Sequence, residues 1–295
     1  MFFRIAGKCY EIIPFIHIHF ALISKNTATT SHSTLEQFTT FFFETHRKGK
    51  VAEHTYKCDW GRVKNYIFPA FGQSNIKQIT PDKCQTLIHS IKAEGKGKTA
   101  DEIYSLLSII FKGAIAYGII QKSPLAIVQH QKHVNESGTA LTKAEEFTLL
   151  TNLIEPDFRI AVAIALFTGL RPNELSTAKI EGEFIVAINS KRKNCKIEYK
   201  RIPIIHALRP YLANGIPKLP TPQLIRRRIS AILPNHKLYD LRTTFYTRCD
   251  EYGIAPPARD EFVGHSAGAL TNAYRDLSDE YLLREGAKLN AWIIE

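Results

Sequence analysis

Gly264-His265-Ser266-Ala267-Gly268-Ala269-Leu270-Thr271-Asn272-Ala273-Tyr274 sets a tyrosine nine residues after a histidine, near the end of a 295-residue chain. His265 follows a glycine that closes a short predicted helix. Upstream lie two arginine stretches, Thr168-Gly169-Leu170-Arg171-Pro172-Asn173-Glu174-Leu175 and Leu238-Tyr239-Asp240-Leu241-Arg242-Thr243-Thr244-Phe245. Arg171 follows a helix break at Gly169, and Pro172 suits the first position of a new helix, so the guanidinium can stand at a cleft. Taken singly, each of these residues is ordinary: an exposed arginine, a structural histidine, one of twelve tyrosines. Their order and separation make them a set.

The set fits an anionic phosphodiester. In-line attack spreads negative charge over the non-bridging oxygens, and fixed cationic donors aimed there lower the barrier. Arginine suits that task because its planar fork donates two parallel hydrogen bonds and stays charged. A nucleophile must lose a proton and the leaving oxygen must gain one.

In this arrangement the chain resembles the phage integrase family of tyrosine recombinases. The family's first box, T-G-x-R-x-x-E, is met at Thr168, Gly169, Arg171 and Glu174. Its second box, H-x-L-R, is met at Leu241 and Arg242, but Tyr239 stands where the family has histidine. A tyrosine hydroxyl can donate to a phosphate oxygen, yet its reference pKa near 10 keeps it from cycling a proton at neutral pH. His236 does not fit the spacing and reads as an exposed loop residue. The third box, G-H-S, is met at Gly264, His265 and Ser266. The resemblance implies that Tyr274 is the nucleophile and that Arg171, Arg242 and His265 hold the phosphate. It further implies that Glu174 orients Arg171 and that Tyr239 is a phosphate contact. Spacing favours Tyr274 over Tyr281, which reads as packing a helix face after a Ser278 cap. The family also places a lysine on a β-hairpin between the two arginines, to protonate the leaving 5′ oxygen. Ser190-Lys191 resembles that site, and Lys193 and Lys196 are alternatives on the same turn.

Working outward, the pattern is mainly α with a small antiparallel β-sheet: a helical core-binding domain and a mixed α+β catalytic domain. Residues 1–31 form an N-terminal extension, which reads as the remnant of an arm-binding domain; the alternation Ile16-His17-Ile18-His19-Phe20 suggests a strand there. Residues 32–128 read as four helices. Ser33 with Glu36 and Thr99 with Glu102 suggest capping boxes, and Thr80-Pro81 a helix start. The second helix is expected to run over 52–67 and to stop at Phe68-Pro69. Residues 129–140 are polar and read as a linker. The catalytic domain, 141–295, opens on a capping box at Thr142 and Glu145, followed by an apolar helix from Pro156 to Phe167. Phe184–Ile188 and Ile197–Ile205 flank the basic turn Lys191-Arg192-Lys193-Asn194 as a hairpin. After Pro220 the chain returns to helices. The tail after Tyr281, with Leu282, Leu283, Leu289, Trp292, Ile293 and Ile294, is apolar and is expected to dock on a neighbouring protomer.

A net charge of +11 and a pI of about 9.4 favour a polyanionic partner, nucleic acid before an anionic membrane surface. Residues 31–130 alone hold 13 Lys and Arg against 8 Asp and Glu, compatible with gripping a phosphate backbone. The five cysteines are scattered, with no C-x-x-C pair, which argues against a disulfide framework or a zinc site. The apolar stretch Ile12–Ile23 is too short to span a bilayer and is broken by Pro14. There is no Walker A loop and no acidic cluster suited to Mg²⁺.

The resemblance implies a site-specific recombinase that cuts and rejoins duplex DNA through a 3′-phosphotyrosine, with no metal or nucleotide cofactor. It implies integration or excision of a phage or mobile element in the cytoplasm of a bacterial host. The two domains are expected to clamp duplex attachment sites. The protein is expected to be a monomer when free and a homo-tetramer on DNA, with an excisionase or a DNA-bending host factor as further partners. Two other readings use the same residues: a type IB topoisomerase-like strand relaxer, and a catalytically impaired integrase relative that only binds DNA.

Overall fold

The computed structural model describes residues 2–5, 8–11, 33–134, 138–190, 197–265 and 277–294, and only the backbone before residue 33. The chain divides into two compact units, Met1–Asn135 and Glu136–Glu295. Strands β1 (Phe2–Ile5) and β2 (Lys8–Glu11) pair antiparallel, with Phe2 opposite Glu11. The strand expected at Ile16–Phe20 lies outside the described residues.

The rest of the first unit is helical. Helix α1 (Leu35–Phe42) is capped one residue later than expected: Thr34 accepts from the Gln37 N–H, and the Gln37 side chain returns to the Thr34 N–H. Helix α2 (Glu53–Arg62) runs into a π turn over Val63–Ile67 and then α3 (Phe68–Phe71). The helical path therefore does not stop at Phe68-Pro69. The Phe68 N–H reaches back to the Val63 carbonyl, and this wider turn carries the chain past a residue with no N–H to give. Helix α4 (Pro81–Ala93) starts at the Thr80 cap as expected. Helix α5 (Gly97–Ala116) starts before Thr99, which is therefore no cap; Lys96 occupies that position. Phe38, Val63, Ile67, Ile88, Ile103, Leu107 and Phe111 are fully buried at the centre of these helices. Gly113 lets α1 and α5 approach closely, since a Cβ there would meet the Phe42 ring at 2.6 Å.

The second unit packs helices around a three-stranded antiparallel sheet. Helix α6 (Lys143–Asn152) carries the expected Thr142–Glu145 capping box. Helix α7 (Pro156–Thr168) is buried from Ala161 onward, all round, because it runs through the middle of the core. The sheet comprises β3 (Lys179–Glu181), β4 (Phe184–Ile188) and β5 (Tyr199–Pro203), in that order. The pairing of β4 with β5 sets Ile185 opposite Ile202 and Ala187 opposite Lys200. The turn Lys191–Asn194 lies outside the described residues. Helices α8 (Pro222–Ile232), α9 (Leu238–Glu251), α10 (Pro256–Val263) and α11 (Asp279–Ala287, capped by Ser278) follow among the described residues.

The tail corrects an expectation. Leu289 and Trp292 are each 1% exposed and fill the core of their own unit rather than waiting for a neighbour. The Trp292 ring lies 4.9 Å from that of Phe167, and its Nε1 donates to Glu146 Oε2 at 2.7 Å. The other Glu146 oxygen takes two bonds from Arg248, at 2.9 and 2.6 Å. A fully buried carboxylate needs such partners, and the indole completes the set.

Candidate active site

Arg171 is placed by what precedes and follows it. Helix α7 ends on Gly169, whose φ of +62° is the left-handed conformation that glycine adopts at least cost. A Cβ there would also meet the Phe245 ring at 2.5 Å. Arg171 then caps a 3₁₀ turn over Pro172–Thr177. Glu174, 1% exposed, closes back on it: Oε2 accepts from the Arg171 N–H at 2.8 Å, and Oε1 from Arg171 Nη1 at 3.0 Å. Arg171 Nη1 also donates to Asn189 Oδ1 at 3.2 Å, just past β4. Arg171 Nε is buried and has no partner among the described residues.

Arg242 arrives from α9 and is 4% exposed. Its Nη1 donates to the Gly169 carbonyl at 2.6 Å and its Nη2 to the Val263 carbonyl at 2.7 Å. It thereby ties together the helix ends that carry Arg171 and His265. Helix α10 closes on Gly264 at φ +64°, and the next N–H, that of His265, bonds to the Asp260 carbonyl at 2.9 Å. This holds His265 Nε2 at 3.1 Å from Arg242 Nη2. Because the guanidinium can only donate, Nε2 accepts and the ring proton sits on Nδ1. The His265 pKa is lowered by burial and by the charges of Arg242 and Arg171, in keeping with a neutral ring.

The electrostatic balance is one-sided. Burial lowers the Arg242 pKa, and the Arg171 charge lowers it further. Like charges in a low-dielectric site repel strongly unless an anion comes between them. The only carboxylate bonded to Arg171 among the described residues is that of Glu174. Burial works against its ionised form, but the Lys200 ammonium and the N–H groups of Arg171 and Ser190 outweigh this and bring its pKa down to about 2. The site can therefore receive a further anion, and the phosphate of a nucleic-acid backbone is one such group.

Of the residues expected from sequence, Arg171, Glu174, Arg242 and His265 come together. Tyr239 is 46% exposed at the start of α9, with its side chain towards Arg242. Tyr281 is partly buried against the core, as expected. His236 is corrected: it is 6% exposed, with Nε2 at 3.2 Å from Glu145 Oε1, so it joins the starts of α6 and α9 instead of facing solvent. Tyr274, Lys191, Lys193 and Lys196 lie outside the described residues.

Three residues were missed. Ser190 donates to Glu174 Oε1 from its N–H at 3.0 Å and its hydroxyl at 2.9 Å. Asn189 bridges from Arg171 to the Gly264 carbonyl, 3.4 Å from its Nδ2. Lys200, 1% exposed, donates to Glu174 Oε2. Strand alternation carried a signal for Lys200: it lies two residues before Ile202 and so shares the inward face of β5.

A family domain matches within the first unit, and the fold likeness to solved structures extends over most of the chain. Residues 35–131 match the family model of the phage integrase central domain. Among solved structures, a lambda integrase tetramer bound to a Holliday junction is similar with a TM-score of 0.69 at 19% identity, over 93% of this chain and 92% of that one. A lambda integrase dimer bound to a COC′ core site gives 0.69 at 18%, over 93% and 91%. The Tn1549 transposon integrase in complex with circular intermediate DNA gives 0.64 at 20%, over 86% and 99%. At these identities the likeness is one of fold. The comparison with curated proteins finds no match. Among the described residues, no helix is long and apolar enough to cross a membrane, and no cluster of His, Cys, Asp and Glu is suited to a metal ion.

Proposed function

We propose that the chain is a site-specific DNA recombinase, an integrase that exchanges strands between duplex attachment sites by way of a covalent protein–DNA intermediate. The observation that carries this reading is the convergence of two buried guanidiniums and His265, with Arg242 bonded to the very turn that presents Arg171. In this reading the scissile phosphate enters among Arg171, Arg242 and His265. Arg171 Nε, buried without a partner, supplies one donor. His265 becomes a donor when Arg242 turns from it to the phosphate and the ring proton shifts to Nε2, and the exposed Tyr239 hydroxyl supplies another.

The phenolic oxygen of Tyr274 attacks phosphorus and gives up its proton to water. The bond to the 5′ oxygen breaks, and that oxygen takes a proton from Lys191. The products are a 3′-phosphotyrosine and a 5′ hydroxyl. A 5′ hydroxyl from the partner duplex then attacks the phosphotyrosine and releases Tyr274. The number of phosphoester bonds is unchanged, so strand joining needs no outside energy source. We assign the first grip on DNA to residues 32–128 and strand cleavage to residues 141–295. The lambda integrase tetramer on a Holliday junction supports a four-protomer assembly on two sites. An excisionase or a DNA-bending host factor would set direction, in the cytoplasm of a bacterial host carrying the mobile element.

A duplex nicked beside the scissile phosphate loses the short fragment after cleavage and traps the intermediate. The protein should form a covalent adduct on it, and Tyr274→Phe should form none while binding the duplex about as tightly. Strand transfer between two sites separates a recombinase from a strand relaxer. Binding without any adduct would overturn the reading in favour of a DNA-binding protein.

A further inference from the structure

Beneath the phosphate-facing residues lies a second layer that the reaction does not use directly. Its centre is the Glu174 carboxylate. Oε1 accepts from Arg171 Nη1 and from the Ser190 N–H and hydroxyl; Oε2 accepts from the Arg171 N–H and Lys200 Nζ. Ser190 directly precedes Lys191, so Glu174 joins Arg171 to the start of the turn that carries the candidate acid. Lys200 sits on β5, the strand that follows that turn. Gly264 rests on the same layer, since a Cβ there would meet Lys200 Cε at 2.4 Å and Asn189 Nδ2 at 2.8 Å.

We propose that Lys200, through its ion pair with Glu174, is a positioning residue that holds Arg171 and Ser190 for strand cleavage. This rests on the recombinase reading above. At 1% exposure, with its ammonium on Glu174, Lys200 touches no substrate and acts only through its partner. Its contribution to stability is limited, because the desolvation of a buried ion pair works against its attraction. Glu174 is brought from an ordinary 4.5 to about 2, which favours the folded state at neutral pH. Burial brings Lys200 from 10.5 to about 8, which works against its charged form. A buried pair that nets little stability while fixing two other groups is explained by the geometry it imposes. The charged and titratable groups facing Lys200 are Glu174 and Arg171 on the turn after α7, Arg242 from α9 and His265 after α10. Of these the carboxylate attracts, Arg242 and Arg171 make protonation harder, and His265 is neutral.

The test uses the full chain and the nicked duplex, in single turnover at saturating protein. Lys200→Met should slow adduct formation about 10- to 100-fold, as a sub-ångström loosening of a phosphate clamp does, with DNA affinity changed less than about twofold. A duplex with sulfur in place of the scissile 5′ oxygen distinguishes roles, because a thiolate leaves without a proton. Positioning predicts that the sulfur duplex does not restore Lys200→Met; restoration would make Lys200 the acid and overturn the proposal, as would a cleavage rate equal to wild type. Adding Glu174→Gln should cost little more than the worse single change, since the two act as one unit; full additivity would also count against it. A profile that does not depend on Lys200→Met folding comes from Lys200→Arg. Wild-type cleavage should decline as pH rises through about 8, where Lys200 gives up its proton. The arginine variant should extend its plateau to higher pH, because arginine keeps its charge, and an unchanged profile would contradict the proposal. Wild type that forms no adduct on either duplex would instead sink the recombinase reading itself.

Discussion

Gly264 shows how much of the site hangs on single residues. Its positive φ and the space under it, shared by Lys200 and Asn189, leave no room for a side chain. Gly264→Ala should cost about 1–3 kcal/mol of stability from the left-handed backbone and the clash together. It should also turn His265 away from Arg242. Urea unfolding and the adduct rate measure the two effects separately. A fully active, equally stable Gly264→Ala protein would show that the tight contact is not required. The residues that sequence revealed here, Arg171, Glu174, Arg242 and His265, were legible because each sits at a fixed distance from a helix-breaking glycine or from another box. Lys200, Ser190 and Asn189 were not, because they act through a carboxylate many residues away in the chain. Nothing in local spacing points to that carboxylate as their meeting point.

At the scale of elements, helices with strong start signals were readable. Thr80-Pro81 and Thr142 with Glu145 cap α4 and α6 as their chemistry demands. The misreadings have physical causes. Ser33 and Thr34 are adjacent cap formers, and Gln37 closes the box on the second of them. Pro69 looked like a stop, but a π turn ahead of it absorbs the missing donor. Strand β3, exposed at all its residues, has no apolar alternation to betray it. The tail was apolar in sequence, and sequence does not say whose core it fills. Trp292 makes its own unit the answer in this chain, and Trp292→Ala should lower stability by about 3–5 kcal/mol, both from lost aromatic burial and from a Glu146 oxygen left without its partner. Denaturant titration measures this. A loss below about 1 kcal/mol would mean that the docked tail contributes little to the fold.

At the scale of the whole molecule, the charge of +11 is unevenly divided, with 17 Lys and Arg against 9 Asp and Glu in residues 1–135 and 22 against 19 in residues 136–295. A protein that grips the backbone at six to ten phosphates loses roughly a thousandfold or more in DNA affinity between 50 and 200 mM salt. The full chain should show that steep dependence on its site, measured by anisotropy titration. A shallow slope would imply few phosphate contacts and a different mode of binding. The division into a helical first unit and a mixed second unit was visible in the periodicity of the sequence, because long amphipathic helices and a β-branched hairpin leave different patterns. The anion site was not legible in this way: its one-sided charge comes from Arg171, Lys200 and Arg242 set against Glu174, and only the fold brings them together.

The central claim is that this site holds a DNA phosphate for attack by Tyr274. Its most direct test is to digest the covalent adduct trapped on the nicked duplex and to locate the nucleotide-bearing peptide by mass spectrometry. The account predicts a 3′-linked phosphotyrosine at Tyr274, lost in Arg171→Ala and Arg242→Ala proteins that still bind the duplex. Attachment at Tyr281 or any other residue, or an adduct that survives removal of both arginines, would contradict it.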